Sequence, residues 1–242
     1  MIQTLRFLLA IFLLTVWHGS FAILAALFGT KQREGGVYDT AQRRWGRGML
    51  RWTGIRVRVI GGEKLDRGSP AVYIANHASF VDIWALLQEL PGTVRFVYKK
   101  EMNRIPVLGR AMRAMQHIPI DRKNLSAAFA AYEEAALLIR GGISAVVFAE
   151  GTRSRDGKLH TFKKGPFVLA IAAGVPVIPV LCEETFATLP KGSMTPRRGT
   201  VTLRIGDPIP TAGMSHEDRT PLSQTARAQL VAMGAEPVET PA

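Results

Sequence analysis

The sequence predicts an α/β domain, a mixed sheet flanked by helices, with a membrane-associated helical segment at its amino terminus. Three observations carry this. Short β-rich runs alternate with helical stretches from residue 55 onward, two of the helical stretches stop at glycine, and an uncharged apolar run precedes them all. Of 242 residues, 47% are hydrophobic and 21% charged, which is enough for a packed core and excludes disorder as the main state.

The amino-terminal segment, residues 1–53, is justified first. Between Arg6 and Lys31 no residue is charged, and the apolar run 7–28 is interrupted mainly by Thr15 and by His18-Gly19-Ser20. As a helix at 1.5 Å per residue, the run reaches about 33 Å, enough for one crossing of a hydrocarbon core about 30 Å thick. Two geometries fit: one span, or a break at His18-Gly19-Ser20 into two short helices that dip into one leaflet. A secretory signal cleaved near Ser20-Phe21-Ala22 is the rival reading. Lys31, Arg33, Arg43, Arg44, Arg47 and Arg51 follow the run and only Arg6 precedes it, which favours an inner-membrane protein whose body faces the cytoplasm. Val37, Ala41, Trp45, Met49 and Trp52 then share one helical face, with arginines on the remainder. That pattern suits an interfacial helix on anionic lipid or a helix packed on the domain.

In the body, residues 54–234, strands are expected at 55–60, 71–75, 94–98, 117–120, 143–149, 175–181 and 200–205. Helices are expected at 80–90, 107–115, 125–140, 166–173 and 221–233, with Gly141 and Gly174 as carboxyl-terminal caps. Residues 235–242 read as a loose tail. Folds of this class place their chemistry in loops beyond the carboxyl ends of strands.

Lys and Arg number 31 against 19 acidic residues, a net charge of +12, so an anionic partner is expected. No nucleic-acid motif accompanies the charge, and a membrane surface or a phosphorylated substrate suits it better. The single cysteine, Cys182, excludes an intrachain disulfide and multi-cysteine metal centres, and reads as a buried, inert thiol rather than a nucleophile. The histidines lack ligand spacing, so no metal is expected.

Two constellations could carry chemistry. His77 and Asp82, a His-x4-Asp pair, follow the strand candidate 71–75. Within one helix they would lie about 140° apart. Ser79-Phe80-Val81-Asp82, however, reads as a capping box that turns the Asp82 carboxylate back towards His77. Asp82 there either caps the helix only, or orients the imidazole as the acid of a catalytic triad does. The second constellation, Glu150-Gly151-Thr152-Arg153-Ser154, offers a glycine for close approach, a hydroxyl and a guanidinium fork, which a phosphate monoester requires; the plain alternative is a polar turn. It is not a nucleotide P-loop, because Asp156 stands where the second glycine is needed. Lys99, Lys100, Arg122, Lys163 and Lys164 sit near strand ends or helix starts that could face the same rim.

Taken in order, Asn76-His77 with Ser79 and Asp82, Ile118-Pro119-Ile120-Asp121-Arg122, Phe148 to Ser154, and Val175-Pro176-Val177-Ile178-Pro179-Val180 resemble the four motif blocks of the glycerolipid acyltransferases. The nearest likeness is to the bacterial 1-acylglycerol-3-phosphate acyltransferases. The resemblance implies transfer of a fatty acyl group from acyl-coenzyme A or acyl carrier protein, as co-substrate and with no cofactor, to the hydroxyl of a lysophospholipid in the membrane. It implies His77 as general base and Asp82 as its orienting partner. It also implies an acceptor-phosphate site at Glu150, Gly151, Thr152 and Arg153, aided by Arg122, Lys99 and Lys100. Ala149 departs from the pattern, which has proline there. A thioester needs only a base, positioning and an oxyanion donor, so no acyl-enzyme is expected, and a backbone amide near the start of the Ser79 helix is a plausible donor.

Overall fold

The computed structural model describes residues 2–238. Seven strands form one sheet: β1 (Ile55–Ile60), β2 (Val72–Ala75), β3 (Thr93–Lys99), β4 (Ile118–Ile120), β5 (Ile143–Phe148), β6 (Val177–Glu183) and β7 (Gly199–Ile205). Their spatial order is β1-β7-β6-β2-β5-β3-β4. Every neighbouring pair is parallel except β6 with β7, so the sheet is mixed, as expected. The consequence for function is positional. β6, β2, β5, β3 and β4 all run the same way, and the loops that follow them gather at one rim.

The central strands are covered on both faces, which is why they read as continuous apolar runs rather than alternating ones. Tyr73 and Ala75 of β2 join one core with Trp84, Leu86 and Met49, whereas Val72 and Ile74 join the opposite core with Ile139, Phe167 and Leu222. The first core is roofed by α2 (Val37–Thr53) and α3 (Val81–Glu89), the second by α5 (Leu125–Arg140), α6 (Gly165–Ala173) and α8 (Arg219–Ala232). Pro119 is accommodated because β4 is an edge strand with no neighbour beyond it. Gly174 caps α6 with φ +68, but after α5 the positive φ falls on Gly142 (+99), while Gly141 keeps φ −78.

In the amino-terminal segment the structure decides between the two geometries that the sequence left open as to a break. α1 (Ile2–Leu27) is one continuous helix through His18-Gly19-Ser20. Gly19 is a contact point instead of a break: a Cβ there would stand 2.9 Å from Val107 Cγ1, on the residue before α4 (Leu108–Ala114). α1 lies along the domain, with Phe7 tilted against Trp84 and Ala22 packed with Tyr38, Ala41 and Met115. Its other side exposes Leu9, Phe12, Trp17, Phe21 and Leu24.

α2 is mainly a packed helix, with Ala41 and Met49 buried. Trp45 donates to Thr15 Oγ1 of α1 and meets Trp84 edge-on, leaving Trp52 exposed. Arg43 faces inward, donating to the carbonyls of Leu87, Leu90 and Gly92 at the end of α3. A buried ion pair completes the union. Asp39 Oδ1 lies 2.7 Å from Arg95 Nη1 on β3, Asp39 Oδ2 accepts from Thr93 and from the Gly35 amide, and Arg95 Nη2 reaches Gln32. Both charged side chains are almost fully buried. The expected boundary at residue 53 therefore separates no independent core, because hydrophobic and ionic contacts cross it.

The expected loose tail is also partly corrected. Leu159 pairs with the 236–238 backbone, accepting from the Val238 amide and donating to the Glu236 carbonyl, and Lys158 meets the Glu236 carboxylate at 2.7 Å. Residues 239–242 lie outside the described residues.

Candidate active site

His77 leaves the carboxyl end of β2, and its setting follows from the start of α3. Phe80 already has helical dihedrals, so Ser79 is the effective cap: its Oγ accepts from the Val81 amide at 3.1 Å. Asp82, one turn in, points back as the capping-box reading expects. Its Oδ2 accepts from the Ser79 amide (2.8 Å), the Ala78 amide (2.8 Å) and His77 Nδ1 (2.7 Å). Since the carboxylate oxygen is the acceptor, Nδ1 carries the proton, and in the neutral imidazole Nε2 presents its lone pair. Phe148, at the end of β5, stacks on the imidazole with centroids 3.7 Å apart and planes 11° from parallel. Ring plane, ring rotation and tautomer are thus all fixed. Asn76 locks the preceding residue by pairing its side chain with the Cys182 backbone on β6.

The loop after β5 holds His77 from the other side. Glu150 is buried; its Oε1 accepts the His77 amide at 2.8 Å and its Oε2 the His160 amide at 3.0 Å. The Ser154 amide donates to the His77 carbonyl at 2.7 Å. Burial raises the Glu150 carboxyl above its ordinary value, opposed by the two amide bonds. Glu150 therefore faces backbone, in contrast to the phosphate-site position implied by the sequence resemblance. Ala149, the departure from the family pattern, uses its amide to extend the β2–β5 ladder onto the Ala75 carbonyl, a bond that proline could not make.

Gly151 adopts φ +77, the left-handed turn for which glycine is suited, and turns the chain outward. Arg122, beyond β4, donates to its carbonyl. The Arg153 guanidinium lies 4.0 Å over the Phe80 ring, one residue from Ser79, which brings the second constellation beside the first. Lys191 donates to Thr152 Oγ1 (3.2 Å) and to the Arg153 carbonyl (2.8 Å). A lone lysine in a Pro-Lys-Gly turn carries no sequence signal, and sequence reasoning missed it.

Lys99 and Lys100 lie on the same rim but are exposed and face Glu101 (3.5 Å) and Asp121 (3.8 Å). Lys163 and Lys164 are exposed, and Lys163 passes close to Gly151. Cys182 is buried, and burial pushes its thiol well above the ordinary value, which suits the inert reading. The expected oxyanion donors are corrected in part: the Ala78, Ser79 and Val81 amides are occupied by Asp82 and the Ser79 hydroxyl.

A family model described as Acyltransferase matches residues 56–183, more than half of the chain and the stretch from the second residue of β1 to the end of β6. The chain belongs to the acyltransferase family. Relatives include a 1-acyl-sn-glycerol-3-phosphate acyltransferase of Cocos nucifera, 32% identical over 84% of this chain and 64% of its own. The human protein named 1-acyl-sn-glycerol-3-phosphate acyltransferase alpha is 31% identical over 74% and 63%. This acyltransferase chain thus spans somewhat less than two thirds of those relatives. The crystal structure of the 1-acyl-sn-glycerophosphate (LPA) acyltransferase PlsC from Thermotoga maritima matches over 97% of both chains, with a TM-score of 0.76 and 28% identity. His77, Asp82, Arg122 and the loop 150–154 all lie inside the matched acyltransferase region; Lys191 lies beyond it.

Proposed function

We propose that this acyltransferase moves a fatty acyl group from acyl-coenzyme A or acyl carrier protein to the free hydroxyl of a lysophospholipid, with 1-acylglycerol-3-phosphate as acceptor and phosphatidic acid as product. The observation that carries the reading is the single oxygen of Asp82 held at 2.7 Å from His77 Nδ1, which leaves Nε2 free to take a proton. The acceptor hydroxyl gives its proton to Nε2 as its oxygen attacks the thioester carbonyl carbon. The imidazolium is stabilised by Asp82, and when the C–S bond breaks the same proton passes to the departing thiolate. The thioester is already activated, so no residue needs to be acylated. Arg153, Thr152 and Arg122 are suited to the acceptor phosphate, with Lys99 and Lys100 as exposed charge at the same rim.

The exposed apolar side of α1 supports a domain resting on a bilayer. The packing of α1 along the domain, from Phe7 to Ala22, favours insertion into one leaflet over a free crossing. Exposed Arg44, Arg47 and Arg51 suit an anionic, cytoplasm-facing surface.

The test uses labelled oleoyl-coenzyme A or oleoyl-acyl carrier protein with a panel of lysolipids in mixed micelles. Label in phosphatidic acid is the expected result; label released as free fatty acid would instead identify a thioesterase. Arg153→Ala should raise KM for the phosphorylated acceptor at least about tenfold and leave the donor KM unchanged, because a charge-assisted contact is lost on one substrate only.

A further inference from the structure

On the reading just given, an acceptor phosphate docks at the 151–153 turn, and the connection after α7 (Thr185–Thr188) approaches that turn from the β7 side. The connection is anchored at two points. Ser79 Oγ donates to the Leu189 carbonyl at 2.8 Å, so the cap of the Asp82 helix holds one end, and Leu189 is fully buried. Two residues later, the Lys191 ammonium reaches the Arg153 carbonyl (2.8 Å) and Thr152 Oγ1 (3.2 Å). A three-residue arm therefore joins the helix that orients His77 to the turn that carries Arg153. On the far side of the same turn, Arg122 holds the Gly151 carbonyl.

An ammonium has three protons. Lys191 directs two at protein oxygens, and among the described residues no carboxylate lies within ion-pair distance of it, whereas Lys99 and Lys100 each face an acid. Its charge is left for an anion from outside, and it sits where the Thr152 hydroxyl and the Arg153 backbone are presented. We propose that Lys191 is a positioning and specificity-determining residue of the acceptor site. It sets Thr152 and Arg153 through two hydrogen bonds and offers the third proton to the acceptor phosphate, coupling that site to the His77 helix through Leu189 and Ser79. Selectivity for a doubly charged phosphate monoester over an uncharged acceptor depends on it.

The experiment compares full-length wild type with Lys191→Gln and Lys191→Arg in mixed micelles, varying 1-oleoylglycerol 3-phosphate and oleoyl-coenzyme A separately. Thermal stabilisation by glycerol 3-phosphate is measured in parallel. Lys191→Gln should raise the acceptor KM about tenfold or more, with donor KM and kcat within about twofold, and should abolish the stabilisation by glycerol 3-phosphate. Lys191→Arg should recover most of both, since the cation and its donors return. An unchanged acceptor KM, or a kcat loss equal in both variants, overturns the assignment. Stabilisation by glycerol 3-phosphate that depends on Lys191, in a protein that transfers no acyl group, would keep Lys191 as a phosphate ligand and overturn the proposed reaction instead.

Discussion

The Glu150 carboxylate accepts the backbone amide of His77 at 2.8 Å while its second oxygen accepts that of His160, so a buried acid fixes the backbone of His77 with both of its oxygens. Glu150→Gln turns one acceptor into an NH2 group opposed to an amide N–H. The expected outcome is a fall in kcat approaching about 10²-fold, as small misplacement of a catalytic group produces, with the acceptor KM held within about twofold. A changed acceptor KM at constant kcat would return Glu150 to the phosphate site.

Asp82 combines two roles that substitution separates. Asp82→Ala leaves the buried amides of Ala78 and Ser79 without an acceptor, at about 1–3 kcal/mol each, and also frees the imidazole. His77→Ala leaves those bonds intact. Both variants should lose about 10²- to 10⁴-fold in kcat, and only Asp82→Ala should show a clearly lowered melting temperature. Equal melting temperatures would show that the amides find other partners.

The amino-terminal helices are held by the Asp39–Arg95 pair as much as by apolar contact. Asp39→Ala strands a buried guanidinium, and the expected loss is about 3–5 kcal/mol in urea unfolding, where an exposed pair would give at most about 1. Phe12→Ser with Trp17→Ser should do the converse. These side chains are 62% and 74% exposed, so unfolding should be unaffected while binding to anionic vesicles weakens. Unaltered vesicle binding would move the membrane contact off this face of α1.

His117 provides a pH signature. Its Nδ1 accepts the Phe96 amide, and burial, with Arg95 nearby, pulls its pKa down from 6.5 to about 3. Between those values the unfolded chain binds a proton that the folded one does not, so this group makes stability fall as pH drops, by at most about 1.4 kcal/mol per pH unit. His117→Asn keeps an acceptor without the titration and should flatten that slope in unfolding measured between pH 7 and 4. An unchanged slope would assign acid sensitivity to other groups.

The sequence by itself determined the strands, most helices and the turn of Asp82 back towards His77, while the structure decided that Asp82 meets the imidazole as well as capping the helix. The first three depend on neighbours a few residues apart: runs of β-branched residues that suit a sheet covered on both faces, and a cap that folds Asp82 back over one turn. It also placed the candidate cations Arg122, Arg153, Lys99 and Lys100 near one rim, because a parallel sheet sends the ends of its strands the same way. What only the tertiary structure decided lies between residues far apart in the chain. Glu150 and His77 are 73 positions apart, Asp39 and Arg95 56, Arg43 and Leu90 47, and Lys191 and Thr152 39. Periodicity placed Arg43 on the arginine-rich face of α2 and the family resemblance placed Glu150 in a phosphate site, since a local pattern records which face or motif a side chain belongs to but not which carbonyl or amide the fold brings to it. Gly19 shows the same limit: read locally it allows a helix to break or to continue, and in the folded chain it is the spot where α4 comes close enough to need the space that a missing Cβ leaves.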